Sequence, residues 1–304
     1  MSPAKQPREE VLVDVEGRTL RLSNLDKVLY PRTGTTKGEV LHYYAQVAPT
    51  LLPHLADRAV TRIRWPHGVA EGSFFEKNVP QGTPSWVRTV SVPTTGSRGE
   101  SRHGDRLVFP VVDDLATLTW LVNLAALELH VHQWRVGRNG RPRNADRIVI
   151  DLDPGEPATL HECCQVALMV REKLAERDLD ARPVTSGSKG LHLYAELPRR
   201  LPGEESTALA REVAEELQAE HPRLVTATMT KARRSGKVFL DWSQNASSKT
   251  TITPYSLRGR DKPFVATPVS WAEVEAGAED PLGLEQVRME EVIDRVTDLG
   301  DLFS

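Results

Sequence analysis

The chain has 304 residues, 39% of them hydrophobic, 27% charged and 6% aromatic, with a formal net charge of −3. That composition is globular and excludes a collagen, a coiled coil or a wholly disordered chain; charges and prolines interrupt every apolar run before it reaches bilayer length. The two cysteines, Cys163 and Cys164, are adjacent, which excludes a cysteine-built zinc site and suits a reducing, cytoplasmic setting; Met1–Glu10 lacks a secretory pattern. Residues 1–17 read as a tail running into a first strand, followed by one domain, 18–304, or by two intimately packed lobes within it. Thr36–Leu55 has helical spacing, with Val40, Leu41, Tyr44, Val47 and Leu51 on one face. Thr89–Val92 and Leu107–Val112 read as strands around a polar loop, Gly96–Asp105. Leu115–Leu129 reads as one buried apolar helix, capped by Asp113 or Asp114. Arg147–Asp153 alternates as a strand, and Thr159–Arg177 is a helix with Thr159 and Glu162 in capping-box positions. Leu191–Leu197 is a strand, Ser206–Glu220 a helix stopped by Pro222, and Lys237–Asp241 and Thr251–Leu257 are strands. Irregular alternation of the two types predicts an α+β fold with mixed or antiparallel sheets flanked by helices, not a Rossmann fold.

The most informative stretch is Ile148-Val149-Ile150-Asp151-Leu152-Asp153-Pro154-Gly155. Side chains alternate on a strand, so Asp151 and Asp153 share one side while Ile150 and Leu152 face the core. Paired carboxylates at a strand end suit hard divalent cations. Asp241 closes a second short apolar strand and completes a candidate set of three. A turn carrying solvated acids is the competing reading, and an aspartate-nucleophile phosphatase is disfavoured by Pro154-Gly155.

Thr185-Ser186-Gly187-Ser188-Lys189-Gly190-Leu191-His192 lies between two predicted strands. Small residues and Lys189 allow it to cradle a phosphate, although it lacks P-loop spacing. His192 alternates with Leu191 and Leu193 and so faces away from the core, as a ligand-side or surface histidine. His130 and His132 flank Val131; a metal pair there lacks a third soft ligand, and a phosphate contact from His130 is the milder reading. Met229–Lys262 holds eight basic residues against two acidic, whereas Trp271–Ser304 holds ten acidic against two arginines. Such a basic strip suits a phosphate-rich partner or is merely a solvated face. Adjacent Phe74 and Phe75 point to opposite faces of a strand, one to the core and one to solvent, where a ring can stack on a base; both rings partly buried is the competing reading. Val136–Arg147 is rich in arginine without an evident role.

Read together, these segments resemble the polymerase domain of bacterial ATP-dependent DNA ligase D, in the archaeo-eukaryotic primase superfamily, most closely its actinobacterial and mycobacterial members. The resemblance rests on Asn24-Leu25-Asp26-Lys27-Val28-Leu29-Tyr30-Pro31, Arg64-Trp65-Pro66, Phe74-Phe75-Glu76-Lys77 and Glu128-Leu129-His130. It continues through the Asp151–Gly155 and Thr185–His192 stretches, Asp241-Trp242-Ser243-Gln244-Asn245 and Pro254-Tyr255-Ser256-Leu257-Arg258-Gly259-Arg260. It implies a nucleotidyltransferase that extends primers and fills short gaps at DNA breaks, prefers ribonucleotides, and acts in non-homologous end joining with Ku and a ligase. It implies two divalent cations, manganese preferred over magnesium, on Asp151, Asp153 and Asp241. His130, Ser186, Lys189, Arg234, Gln244 and Arg258 are implied to contact the incoming nucleoside triphosphate. Asn24, Lys27 and Lys37 are implied to grip a 5′-phosphate on the downstream strand, with Arg64, Phe74 and Phe75 on the template side. The absence of ligase and nuclease modules implies a stand-alone paralogue or an excised domain. Ile63 stands where close relatives can carry a basic residue.

Two rivals make different demands. A non-catalytic end-recognition or bridging protein binds DNA without needing the three aspartates. A metal-dependent sugar-nucleotide transferase has no use for duplex DNA carrying a 5′-phosphate.

Overall fold

The computed structural model describes residues 10–93 and 106–303. The predicted loop Gly96–Asp105 and the first nine residues of the expected tail lie outside the described residues. Two hairpins come first, β1 (Glu10–Val15) with β2 (Arg18–Ser23) and β3 (Val28–Tyr30) with β4 (Thr35–Thr36), followed by α1 (Lys37–Leu55). Next are β5 (Val60–Arg64), β6 (Phe74–Glu76), β7 (Thr89–Pro93), β8 (Arg106–Pro110), α2 (Leu115–Asn123), β9 (Ala126–Val131) and β10 (Trp134–Val136). The long β11 (Pro142–Pro154), α3 (Leu160–Ala175), β12 (Ala181–Thr185), β13 (Leu191–Leu201) and α4 (Gly203–Glu220) follow. The chain closes with β14 (Val225–Thr226), β15 (Val238–Asp241), β16 (Thr251–Ile252), α5 (Trp271–Glu279) and α6 (Met289–Leu299).

A six-stranded sheet runs β12-β13-β11-β15-β14, with β10 also paired to β11; a four-stranded sheet runs β16-β9-β5-β6. The α+β expectation holds. Four of the described helices, α1, α2, α3 and α5, begin at side-chain caps. Thr36 and Glu39 form a capping box on α1, and Thr159 and Glu162 form the expected one on α3. Asp114 caps α2 by accepting the Thr117 N–H, while Asp113 binds Arg88 instead. The apolar interior falls into two main clusters. One joins α1, α2, β9 and α6; the other packs α3 and α4 on one face of β11, β13 and β15. The opposite face of β11 meets the four-stranded sheet, where Val149 packs with Tyr194 and Ile252. That face also carries Asp151 and Asp153.

The expected helix Leu115–Leu129 is wrong in its second half. It ends at Asn123, Ala125 takes a left-handed φ of +61°, and Ala126–Val131 becomes a wholly buried strand. A continuous apolar run serves a buried helix and a buried strand equally, and here pairing to β5 and β16 decides. His130 and His132 therefore follow a strand periodicity. The expected strand Thr251–Leu257 shrinks to two residues, because Pro254 offers no N–H to a ladder and Tyr255 sits at φ +66°.

Candidate active site

Antiparallel pairing sets Asp241 of β15 directly opposite Asp151 of β11, so Asp151, Asp153 and Asp241 share one face at one sheet end. Ile150 and Leu152, between and beside them, are fully buried on the other face. Burial first, and then the neighbouring Asp151 and Asp241 charges, push the Asp153 carboxyl up to about 6. The arrangement carries more negative charge than its solvation supports, which a bound cation relieves. Asp241 is turned aside: its Oδ1 accepts the Ser243 N–H at 3.1 Å and hydroxyl at 2.5 Å, and its Oδ2 accepts Gln244 Nε2 at 2.8 Å. As arranged, no three ligating groups among the described residues gather into a metal cage. The donors nevertheless fit a hard cation: all three are carboxylates, and the crowding of like charge raises the Asp153 pKa.

His192 lies opposite Asp151 on β13, with Nε2 at 3.2 Å from Asp151 Oδ1. It does face away from the Leu191 and Leu193 side, but it is only 2% exposed, so the surface-histidine reading fails. The second sheet layer covers this face.

The Ser186–Gly190 loop joins β12 to β13 beside the aspartates. Ser186 Oγ accepts the N–H groups of Ser188 and Gly190, at 3.2 and 3.1 Å. Gly187 takes φ +66°, and a Cβ on it would meet Arg258 Cγ at 2.7 Å, so only glycine fits there. A cleft of about 430 Å³ opens in front, lined by Asp153, Pro154, Gly155, Ser188, Lys189, Arg234, Arg260, Asp261 and Phe264. One wall is thus acidic and another cationic. Lys189 Nζ rests 3.0 Å from Glu156, and the Arg234 guanidinium lies 3.5 Å over the Phe239 ring.

The other nucleotide candidates form an adjoining buried network rather than the cleft lining. Arg258 Nε donates to the Ser186 carbonyl at 2.8 Å, and its NH1 is 3.2 Å from Glu128 Oε2. Glu128 also sits 2.7 Å from His130 Nε2 and accepts the Gly259 N–H at 3.0 Å. Burial alone would raise the Glu128 carboxyl; hydrogen bonding and the His130 and Arg258 charges instead hold it down to about 2. Gln244 is engaged with Asp241. His132 belongs to neither group: it stacks on Trp134 at 4.4 Å and bonds the Lys249 carbonyl.

Away from the cleft, Lys37 opens α1 and is buried, its Nζ donating to the Ser23 carbonyl at 2.6 Å and to Asn123 Oδ1 at 2.7 Å. Burial and then the nearby Lys27 charge lower its pKa to about 8. Neither lysine has an ion-paired carboxylate among the described residues, so the pair suits an anion. Asn24 precedes them, exposed and at φ +54°. Arg64 is already engaged: Nε donates to the Leu124 carbonyl at 2.6 Å and NH1 pairs with Glu76 at 2.8 Å. Phe74 and Phe75 are 52% and 59% exposed, so the expectation that one enters the core is wrong. The three-residue edge strand β6 leaves both rings in solvent.

Sequence reasoning gave Glu128 no role of its own and missed the His192 contact with Asp151. The signal was present for the first: a carboxylate inside the apolar run Ala126–Val131 has to find partners. Asn245, which the sequence placed beside Asp241 either to contact substrate or to close a turn, closes the turn: its side chain bonds both the N–H and the carbonyl of Val149, at 2.8 and 2.7 Å, fixing the turn after Asp241 onto β11.

A family model for the LigD primase-polymerase domain matches residues 36–303. The chain belongs to that family. It is accordingly a nucleotidyltransferase domain of the primase-polymerase type. It is 49% identical over 285 residues to the multifunctional non-homologous end joining protein LigD of Mycolicibacterium smegmatis, an alignment covering 94% of this chain but 36% of that protein. Identity to the bifunctional LigD of Bacillus subtilis is 34%, across 93% of this chain and 43% of that one. The chain thus spans less than half the length of these relatives. Among solved structures, the polymerase domain of Mycobacterium tuberculosis ligase D in complex with DNA superposes with a TM-score of 0.86 at 46% identity, covering 93% of this chain and 96% of that one. The archaeo-eukaryotic primase-like architecture implied by the motifs is the one found. No described helix is long and apolar enough to cross a membrane.

Proposed function

We propose that this LigD-family domain binds DNA ends and gaps, extends a primer 3′-hydroxyl with nucleoside triphosphates, ribonucleotides preferred, and so fills short gaps during non-homologous end joining. The observation that carries the reading is the juxtaposition of Asp151, Asp153 and Asp241 with a cleft whose far side holds Lys189, Arg234 and Arg260. The chemistry needs both signs of charge within one nucleotide's length. Asp151, Asp153 and Asp241 would hold two divalent cations, manganese preferred, which when bound supply Lewis acidity to the attacking hydroxyl and the leaving pyrophosphate. His192 orients Asp151. Asn245 fixes the turn that aims Asp241. Lys189 exchanges Glu156 for the triphosphate, Arg234 reaches it from over Phe239, and Arg258, held by Glu128, steadies the Ser186 loop with His130. Lys27 and Lys37, with Asn24, receive the downstream 5′-phosphate, and the open rings of Phe74 and Phe75 offer stacking faces to template bases. Ku and an ATP-dependent DNA ligase are the partners this role requires, in the cytoplasm at the nucleoid.

The test is extension on a gapped duplex with a downstream 5′-phosphate, comparing ribo- with deoxyribonucleotides and manganese with magnesium. Asp151→Ala is expected to lower templated addition by about 10³-fold or more while duplex affinity stays within about threefold. Tight, 5′-phosphate-dependent binding with no addition by the unmodified chain would replace this reading with a non-catalytic end-recognition protein, a role the uncompensated Lys27–Lys37 pair also serves.

A further inference from the structure

The arginine-rich turn joining β10 to β11 has no part in the proposed nucleotide addition. Trp134–Arg147 holds five arginines and a single acid, Asp146. That acid is already taken, by Arg58 at 2.9 Å and Arg135 at 2.8 Å. Arg147 turns inward, bonded to Gln133 at 2.7 Å and stacked on Tyr194. Arg138, Arg141 and Arg143 remain, all exposed and none ion-paired among the described residues. Several other exposed arginines do find carboxylates, among them Arg21 3.0 Å from Glu10, Arg88 2.6 Å from Asp113 and Arg211 2.7 Å from Glu215.

The turn is built. The Gly137 N–H donates to the Arg141 carbonyl at 2.8 Å, the Gly140 N–H to the Gly137 carbonyl at 2.9 Å, and Gly140 takes φ +71°. A Cβ on Gly137 would lie 3.0 Å from Arg143 Nε, so the missing side chain leaves room for that arginine to cross the turn. Pairing of Ala145 with Leu201 brings exposed Arg199 and Arg200 of β13 to the same sheet end, again without an ion pair. The nearby acids, Glu196 on β13 and Glu204 and Glu205 at the start of α4, are bonded to none of the five.

We propose that Arg138, Arg141, Arg143, Arg199 and Arg200 form a second nucleic-acid contact that grips duplex backbone phosphates remote from the cleft. Guanidinium forks match phosphate oxygens, and an unneutralised cluster gains by releasing the counterions condensed on DNA. Arg143 and Asp151 lie on the same strand eight residues apart, so the patch stands about 26 Å from the aspartates at strand rise. That is less than one turn of duplex, about 34 Å, so one duplex arm reaches both. The inference rests on the reading of the chain as a DNA-acting enzyme.

The test compares the unmodified chain with Arg138→Gln/Arg141→Gln/Arg143→Gln and with Arg199→Gln/Arg200→Gln, none of them in the catalytic machinery. Fluorescence anisotropy follows binding to gapped duplexes with arms of about 6 and about 20 base pairs, from 50 to 200 mM salt. The triple variant is expected to bind the long-armed duplex about tenfold more weakly, with a salt slope shallower by about 3, and to match the unmodified chain on the short one. The double variant is expected to shift the slope by about 2. Nucleotide addition on the short duplex is expected to stay unchanged. Unaltered affinity and slope on the long duplex would overturn the proposal and leave the patch to an acidic protein surface; equal loss on both lengths would overturn its remote placement. Arginine-dependent long-arm binding by a chain that adds no nucleotide would sink the polymerase reading and keep this surface.

Discussion

Two like-charged pairs, one acidic and one basic, sit in different parts of this molecule and mirror each other. Asp151 and Asp153 end β11 beside Asp241, and the fold pushes the Asp153 carboxyl up to about 6. Lys27 and Lys37 bracket the turn before α1, and the fold draws Lys37 down to about 8. In both, burial is the larger cause and a like charge the second. Neither pair has a Lys, Arg, Asp or Glu counter-ion bonded to it among the described residues, although His192 and Gln244 contact the aspartates. Storing uncompensated charge costs stability and is recovered only by a ligand of opposite sign, a cation at the aspartates and a phosphate at the lysines. Glu128 is the counter-example, more deeply buried than the exposed Asp153 yet satisfied by His130, Arg258 and the Gly259 N–H.

That contrast breaks most sharply at Glu128. Glu128→Gln is expected to lower stability by about 3 kcal/mol in urea titration, because it strands Arg258 and His130 in a buried setting. The carboxyl falls from its ordinary 4.5 to about 2 in the folded chain, so its contribution is complete above pH 4.5 and is lost as pH falls through 2. The difference between the two proteins should therefore shrink on acidification. An unchanged difference at low pH would remove charge from the explanation.

Asp153 is expected to behave oppositely. Its pKa is raised from 3.8 to about 6, so it costs nothing below pH 3.8, and stability falls as pH rises through 6. With a chelator at pH 7.5, Asp153→Asn should be the more stable protein by about 2 kcal/mol, less than the full shift implies because solvent screens the exposed carboxyl, read as a higher Tm. The advantage should vanish near pH 4, and added manganese should reverse the order.

The smallest effect is expected at Lys37. Lys37→Met should bring the affinity ratio between 5′-phosphorylated and unphosphorylated gaps from about tenfold to near one, a loss of about 1.4 kcal/mol. In the unmodified chain, the same preference should fade as pH rises through about 8, where Lys37 loses its proton. A preference flat from pH 7 to 9 would place the phosphate elsewhere.

Much of the fold was legible wherever the signal was local. The start of α3 followed from the Thr159–Glu162 capping box, because a cap is a contact between residues three apart, and α1 followed from the apolar face of Val40, Leu41, Tyr44, Val47 and Leu51. The facing of Asp151 and Asp153 followed from the two-residue strand period. The second half of Leu115–Leu129 was not legible, since its apolar run had no periodicity and only its sheet neighbours made it a strand. Phe74 and Phe75 were misplaced for the same reason: alternation assumes a layer on one side, and an edge strand need not have one.

The sequence by itself determined the helices with their caps, the aspartates on one strand face, the glycine-rich loop and the family, because each is written in residue type and short spacing. Only the tertiary structure decided that Asp241 stands opposite Asp151, that His192 is buried against that pair, and that Glu128 ties His130 to Arg258. Only there do Arg199 and Arg200 reach the sheet end that carries Arg143. Those contacts join residues far apart in the chain. Their energies depend on burial and on which charges end up together, and neither is encoded at any one position.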